Sequence, residues 1–319
     1  MKKEQMHPII PFEPIRAKDI PIGNNWIAQV KWDGVRMLTY YNGHEVKLIN
    51  RKGNERTQQY PEFTNIKAYC NADSVILDGE MIALQAGKPS FHEIMRRDSL
   101  RRAQEIRFAA GRIPVIYMIF DILYCNGSWV DHQTLAERQR LLTEVILPNE
   151  QVQIVPNVSD AYSLFTVMKQ QEWEGIVCKK LDSTYLSGGK DARWVKVKLA
   201  LDMYAVVGGV TFRDGLVNAL LLGLYDAGGK LNYIGHAGPG KCSHEDLRSL
   251  TGTVRSLAKD KSELTGIPKA KAKGALWLSP RLTVKVQFME WTHGGTMRHP
   301  VIQGLASVPP EDCTLSQNI

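Results

Sequence analysis

Lys31-Trp32-Asp33-Gly34-Val35-Arg36 is the stretch on which the reading of this chain turns. It sets a lysine two residues before a carboxylate, a glycine directly after that carboxylate, and an arginine five residues beyond the lysine. An unperturbed lysine, with a pKa of about 10.4, is neutral in roughly one molecule in 2,500 at neutral pH and is a poor nucleophile. Desolvation and neighbouring cations depress that pKa, and the neutral amine then attacks carbonyls or phosphorus. The same six residues also describe a strand with surface charges entering a turn at Gly34, so the rest of the chain decides.

The chain has 319 residues, enough for one large domain or two ordinary ones, and 44% of them are hydrophobic, enough for a packed core. Cys70, Cys125, Cys178, Cys242 and Cys313 are scattered and lack CxxC spacing, which fits reduced thiols better than a zinc site or a disulfide framework. Met1-Lys2-Lys3 begins basic, but Glu4, Gln5 and His7-Pro8 interrupt any apolar signal segment, and no run reaches the length of a membrane span. A cytoplasmic protein with no membrane association is expected. The net charge of +7 is spread over both halves without a polybasic tail. It permits a polyanionic partner without requiring one.

Trp26–Lys31 and Val35–Tyr41 read as strands, and Asn42-Gly43 as a hairpin turn before a third strand at His44–Ile49. Ser74–Leu84 and Val115–Tyr124 are apolar strands. Between them, Phe91–Ala109 has helical spacing with an arginine-rich outer face. Gln133–Ile146 and Ser159–Gln171 read as helices, and Gly175–Lys180 and Arg193–Lys198 as strands. After residue 202 the texture changes to short strands at Tyr204–Phe212, Leu216–Tyr225 and Lys230–Ile234, a helix at His244–Leu257 and a last strand at Leu282–Trp291. About five strands and one helix suggest an OB-fold barrel. Lys259, Lys261, Lys269, Lys271 and Lys273 read as a mobile basic loop. Gly235–Cys242 nearly spells a phosphate-binding GxxxxGK[ST] loop, but Cys242 replaces the hydroxyl that would hold Mg²⁺, so a turn in the barrel is expected.

The hexapeptide has companions. Asn50-Arg51-Lys52-Gly53 follows the hairpin, and Leu77-Asp78-Gly79-Glu80-Met81 puts two acids around a glycine in an apolar strand. Phe120-Asp121 lies in another strand. Glu174-Gly175-Ile176-Val177 opens a strand closing on Lys179-Lys180, and Trp194-Val195-Lys196-Val197-Lys198 aims both of its last lysines to one face. Arg298-His299-Pro300 comes near the end. Each alone is an exposed turn, a salt-bridged strand end or a solvated basic face.

In this order and spacing they resemble the covalent nucleotidyltransferases, the superfamily of ATP-dependent DNA ligases, RNA ligases and mRNA-capping enzymes. The likeness runs from Trp26 to about Leu305. It is nearest to the ligase module of bacterial end-joining ligases, whose C-terminal signature is similar to Phe288–Gly304 here. The resemblance implies an α+β chain: an adenylation (nucleotidyltransferase) domain of antiparallel sheets with flanking helices over 1–201, then an OB-fold β-barrel over 202–319. It implies ATP and Mg²⁺ (or Mn²⁺), and nicked double-stranded DNA as substrate. Lys31 would attack the α-phosphorus of ATP, AMP would pass to the 5′-phosphate at the nick, and the 3′-hydroxyl would displace it.

By that resemblance Lys31, Asp33, Lys196 and Lys198 are the catalytic set, and Glu174 with Glu80 would hold the metal. Arg36 and Glu80 would hold the ribose hydroxyls, and Phe120 would stack on adenine, whose amine would face the backbone near Gln29. Many relatives have Glu at that position. Arg51 would reach the ribose or the 5′-phosphate. Arg298 would orient the outer phosphates with Lys196 and Lys198 nearby and then move away, which implies a hinge near Leu199–Met203. Lys196, Lys198 and the metal would favour neutral Lys31 while Asp33 and Glu80 oppose. A net depression of ~2 units would raise the neutral fraction about a hundredfold, for about 2.7 kcal/mol.

The relatives' context adds the Ku end-binding protein and a repair polymerase as expected partners of a monomeric, nucleoid-associated bacterial enzyme, although 319 residues leave no room for a polymerase domain in this chain. Three other readings share features with it. A capping enzyme has the same lysine and barrel, an RNA ligase the same transfer chemistry, and a non-catalytic OB-type nucleic-acid-binding protein needs only the second half. The intact set of Lys31, Glu80, Glu174, Lys196 and Lys198 speaks against the last.

Overall fold

The computed structural model describes residues 6–240, 244–289, 291–292 and 294–317. The chain divides into two compact units, Met1–Leu199 and Ala200–Ile319. Among the described residues no helix is long and apolar enough to cross a membrane.

The first unit opens with β1 (Ile15–Arg16), β2 (Trp26–Val30), β3 (Val35–Tyr41), β4 (Val46–Asn50), β5 (Val75–Gln85) and β6 (Lys88–Pro89). Helices α1 (Phe91–Asp98) and α2 (Ala103–Ala110) precede β7 (Val115–Cys125) and β8 (Ser128–Trp129). Then come α3 (Leu135–Val145), β9 (Val152–Ile154), α4 (Ala161–Gln171), β10 (Gly175–Lys180) and β11 (Trp194–Lys198). One sheet has the order β1-β11-β10-β2 and the other β4-β3-β5-β7-β8, with β6 on β5 and β9 on β7. All pairings are antiparallel except β1 with β11 and β7 with β9.

Strand alternation builds the layers. Ala28, Ile176, Cys178, Val195 and Val197 face a cluster containing Met168, Leu164 and Phe165 of α4. Trp194 and Val177 face the opposite way and pack with Leu38, Ile76 and Leu123 of the other sheet. Both sheets therefore share an apolar layer, and the polar residues of their facing strands lie next to it. That arrangement positions the site.

Three details depart from the sequence reading. The β3–β4 loop spans four residues, Tyr41 pairing with Val46, because the Asn42 side chain accepts the backbone N–H groups of His44 (2.9 Å) and Glu45 (2.8 Å). The single helix expected over Phe91–Ala109 is two. At the break Gln59 donates to the Leu100 carbonyl at 2.9 Å, and Asp98 accepts from the Tyr60 hydroxyl at 3.1 Å, so tertiary polar contacts replace helical ones. Arg97 is not on an outer face: it is fully buried, donating to the Gln59 carbonyl and to Glu62.

The second unit is an OB-fold barrel in one seven-stranded sheet: β12 (Leu201–Arg213), β13 (Leu216–Tyr225), β14 (Leu231–Ala237), β15 (Ala258–Lys259), β16 (Leu276–Leu278), β17 (Thr283–Phe288) and β18 (Val301–Ala306). Helix α5 (His244–Ser256) follows β14, and α6 (Lys269–Ala272) follows β15. Strand β12 pairs its first half with β17 and its second with β13, with bulges at Val207/Gly209 and Thr211/Phe212 that bend it round the barrel. The last expected strand stops at Phe288, and β16 and β18 were not foreseen. The lysine-rich stretch is not one open loop. Lys259 lies in β15 and pairs with Glu263, and Lys271 lies in α6 within 3.1 Å of His236 Nε2. Gly235–Ala237 belongs to β14, so it does not form a phosphate loop, and Lys241 and Cys242 lie outside the described residues. Glu290 and His293 of the C-terminal signature also lie outside them. Leu201–Met203 is laddered to Phe288–Val286, so of the expected hinge only Leu199-Ala200 is outside a strand.

Candidate active site

Lys31 directly follows β2, at the point where the chain leaves the four-stranded sheet for β3. Its backbone N–H donates to the Gly175 carbonyl at 3.0 Å, which ties the loop to the start of β10. Two glycines make the approach close enough. A Cβ on Gly34 would lie 2.2 Å from the Met81 carbonyl oxygen. Gly175 has φ +141°, and a Cβ there would lie 2.1 Å from the Val197 carbonyl oxygen. The loop is thus pressed against β5 on one side, and β10 against β11 on the other.

This brings three expected residues together. Lys31 Nζ is 2.6 Å from Glu174 Oε1, and Lys198 Nζ is 3.1 Å from the same oxygen. The Glu174 and Lys198 side chains are buried, and Lys31 is 20% exposed. Lys196 shares the face of β11 with Lys198, opposite Val195 and Val197 in the α4 cluster, and is itself buried. The sequence reading set Lys196, Lys198 and a metal against Asp33 and Glu80 around Lys31. Here its immediate partner is a carboxylate, which it shares with Lys198.

Glu80 lies opposite Arg36 in the β3–β5 ladder. Burial pushes its carboxyl up to about 7; Glu174 and Asp33 raise it further, while Lys31 and Arg36 pull it down. The half-buried Asp33 is therefore in the electrostatic reach of Glu80. Arg36 is engaged by the other acid of the pair. Its Nε donates to Asp78 Oδ1 at 2.9 Å and its Nη2 to Oδ2 at 2.6 Å, while Nη1 donates to the Phe12 carbonyl at 2.7 Å. The Tyr185 hydroxyl donates to Asp78 at 2.9 Å. Hence Asp78 is a buried brace for Arg36, and Glu80 is the acid beside Lys31.

Phe120 is half-buried on β7, with Lys179 Nζ 4.2 Å and Arg36 Cζ 5.2 Å from its ring centroid. Gln29 is buried and its side chain donates to Asn157 at 2.7 Å. Asn157 donates to Gln139 at 3.0 Å, and Gln139 to the Phe120 carbonyl at 2.8 Å. A chain of amides thus ties Gln29 to the backbone that carries the ring. Arg51 is exposed, 3.4 Å from Glu13. Arg298 belongs to the second unit, where its carbonyl accepts the Met289 N–H at 3.0 Å.

The sequence reading gave no role to Asn157, Gln139, Tyr185 or Lys179. Lys179 is fully buried, 3.9 Å from the Trp194 ring centroid, and its ammonium has no hydrogen-bond partner among the described residues. Burial pulls it down to about 7 against the pull of Asp121 and Asp78. Its signal was strand periodicity: Lys179 is two residues from the inward Val177.

Among the described residues no group of three or more His, Cys, Asp or Glu could hold a metal ion. Glu174 and Glu80 nevertheless suit a hard divalent cation, which commonly takes one or two carboxylates and completes its shell with water and substrate phosphates. Burial is the main reason Glu80 is raised, and Glu174 adds to it; such a cation would offset both.

Two family models match: an ATP dependent DNA ligase domain over residues 16–198 and an ATP dependent DNA ligase C terminal region over 213–308. The chain belongs to the ATP-dependent DNA ligase family. Among its relatives is the multifunctional non-homologous end joining DNA repair protein LigD of Mycobacterium tuberculosis, 30% identical over 290 residues. That match covers 88% of this chain and 36% of the relative. The LigD of Mycolicibacterium smegmatis is 30% identical over 306 residues, covering 92% of this chain and 38% of the relative. This chain therefore spans little more than a third of these ligase-family proteins. A solved mycobacterial DNA ligase D, complexed with ATP and MES, is 26% identical with a TM-score of 0.72 and covers 96% of this chain and 97% of that one.

Proposed function

We propose that this ligase-family chain seals nicks in double-stranded DNA with ATP by way of a lysyl-AMP intermediate on Lys31. The observation that carries this is the buried cluster in which Lys31 and Lys198 share Glu174 Oε1, at 2.6 and 3.1 Å. An amine held 2.6 Å from a carboxylate has its proton acceptor at hand. The Lys31 lone pair forms the N–P bond to the α-phosphorus as the bond to the bridging oxygen breaks, and pyrophosphate leaves with that electron pair. Such a transfer is governed by in-line positioning and neutralisation of charge on the phosphate oxygens. Lys196 and Lys198 supply fixed positive charge on one strand face. A divalent cation held by Glu174 and Glu80 would add charge neutralisation at the phosphates. Phe120 stacks on adenine, with Arg36 and Glu80 towards the ribose. Gln29 contributes through its backbone, because its side chain is committed to Asn157. Arg51 contacts the ribose or the 5′-phosphate of the nick, and Arg298 the outer phosphates. AMP then passes to the 5′-phosphate, and the 3′-hydroxyl displaces it.

The end-joining names of the relatives support a role in joining broken DNA. Action in the nucleoid, with Ku and a repair polymerase as partners, completes the proposal. Incubation with ATP and Mg²⁺ followed by mass measurement tests the chemistry. The wild type gains one AMP and Lys31→Ala gains none. An adduct that persists in Lys31→Ala refutes the assignment.

A further inference from the structure

The two residues that make the key contact, Lys31 and Glu174, are each next in sequence to a tryptophan. Trp32 follows the lysine and Trp173 precedes the glutamate. Their rings meet at a centroid distance of 5.2 Å and an interplanar angle of 46°. Each is anchored in a different apolar cluster. Trp32 packs with Ile82, Met118 and Val155 on the side of the sheet that contains β5 and β7. Trp173 packs with Met168 and Ile176 beside α4, and its backbone N–H closes that helix by donating to the Met168 carbonyl at 2.9 Å.

The contact therefore lies just beyond the end of the β2–β10 ladder, where Val30 pairs with Ile176 and the same sheet delivers both Lys31 and Glu174, and it ties that end to the apolar cluster holding Ile82, Met118 and Val155. Both indole nitrogens are buried and have no hydrogen-bond partner among the described residues. The backbone ladder brings Lys31 and Glu174 side by side, and the two rings meet at the next positions outward through packing rather than indole hydrogen bonds. An offset or tilted aromatic contact contributes about 0.5–1.5 kcal/mol beyond its buried area.

We propose that Trp32 and Trp173 are a positioning pair that steadies, for lysyl-AMP formation, the Lys31–Glu174 juxtaposition brought about by the β2–β10 ladder. The inference rests on Lys31 being the nucleophile, as proposed above. Neither ring needs to touch ATP. Its effect is on where the amine stands, and a misplacement of about 1 Å costs up to a hundredfold in rate. Because no indole N–H bond is lost, phenylalanine should substitute for tryptophan while leucine, which keeps apolar bulk but no ring, should not.

The test compares Trp173→Leu, Trp173→Phe, Trp32→Leu and the double leucine variant in two reactions. One is single-turnover formation of lysyl-AMP, and the other is sealing of a chemically pre-adenylated nick, which bypasses attack by Lys31. Expected are a ~10- to 100-fold lower rate constant for the first reaction in each leucine variant, KM for ATP within about twofold, and near wild-type rates in Trp173→Phe. The double variant should be no worse than the poorer single one, and sealing should change less than about threefold. Unchanged lysyl-AMP formation, equal losses in both reactions, or a Trp173→Phe variant as impaired as Trp173→Leu would overturn the proposal. A wild type that forms no adduct on Lys31 would instead overturn the nucleophile assignment.

Discussion

Replacing Asp78 by alanine tests whether the first unit is braced through the buried Asp78–Arg36 pair. Asp78 is fully buried and accepts three hydrogen bonds, two from Arg36 and one from Tyr185. The substitution leaves a guanidinium whose side chain is only 11% exposed facing an apolar gap. Breaking a buried pair from one side costs about 3–5 kcal/mol, a large part of a domain stability of about 5–15 kcal/mol. Since about 1 kcal/mol moves the midpoint of a unit this size by ~2–4 °C, the expected fall in Tm is ~6–20 °C. Removing both charges in Asp78→Ala/Arg36→Met should cost less than Asp78→Ala alone, because no buried charge is then left without its partner. Urea titration followed by tryptophan fluorescence gives the four free energies of the cycle. A loss below about 1 kcal/mol for Asp78→Ala, or a double variant as costly as the sum of the singles, would refute the brace.

Three further outcomes follow from the same geometry. Glu80, raised by burial from 4.5 to about 7, binds a proton more tightly when folded, so its contribution to stability is full below pH 4.5 and declines as pH rises to about 7. Glu80→Gln should flatten that slope in a series of thermal melts, and an unchanged slope would contradict it. Lys179, lowered from 10.5 to about 7, has the reverse linkage: stability rises with pH between 7 and 10.5. Lys179→Met should therefore be more stable than wild type at pH 6, by about 1–4 kcal/mol, with the advantage shrinking by pH 9; a destabilised variant at pH 6 would show that the ring contacts outweigh desolvation. Binding to nicked duplex should weaken ~10-fold or more between 50 and 200 mM salt with little dependence on sequence, as phosphate contacts demand. Salt-independent affinity in a fluorescence-anisotropy titration would reject this.

Local sequence carried further for strands than for connections. Strands β3, β5, β7 and β10 follow from runs of apolar residues bounded by turn residues, because a strand buried on both faces has little choice of composition. Breaking Phe91–Ala109 into two helices depended on Gln59, Tyr60 and Asp98, none of which alters helical periodicity. Strand β18 was missed because its pattern of buried and exposed positions is only six residues long and interrupted by Gly304.

For the site, the sequence by itself determined which residue types are present and in what order: the lysine before Asp33, the acids at Glu80 and Glu174, and the paired lysines of β11. Chemistry of this kind constrains residue identity directly, so a one-dimensional pattern carries it. Which acid holds which cation was decided only by tertiary structure. Asp78 and Glu80 are indistinguishable in a string, yet one is sealed against Arg36 and the other stands beside Lys31. The same holds for the tryptophans and for Lys179, whose roles depend on neighbours brought from distant strands. Distance and burial set electrostatic and packing energies, and both are properties of the folded arrangement. In Lys31–Arg36 the sequence named the proposed nucleophile, and the pairing of β2 with β10, more than 140 residues apart in the chain, gave it a partner at 2.6 Å.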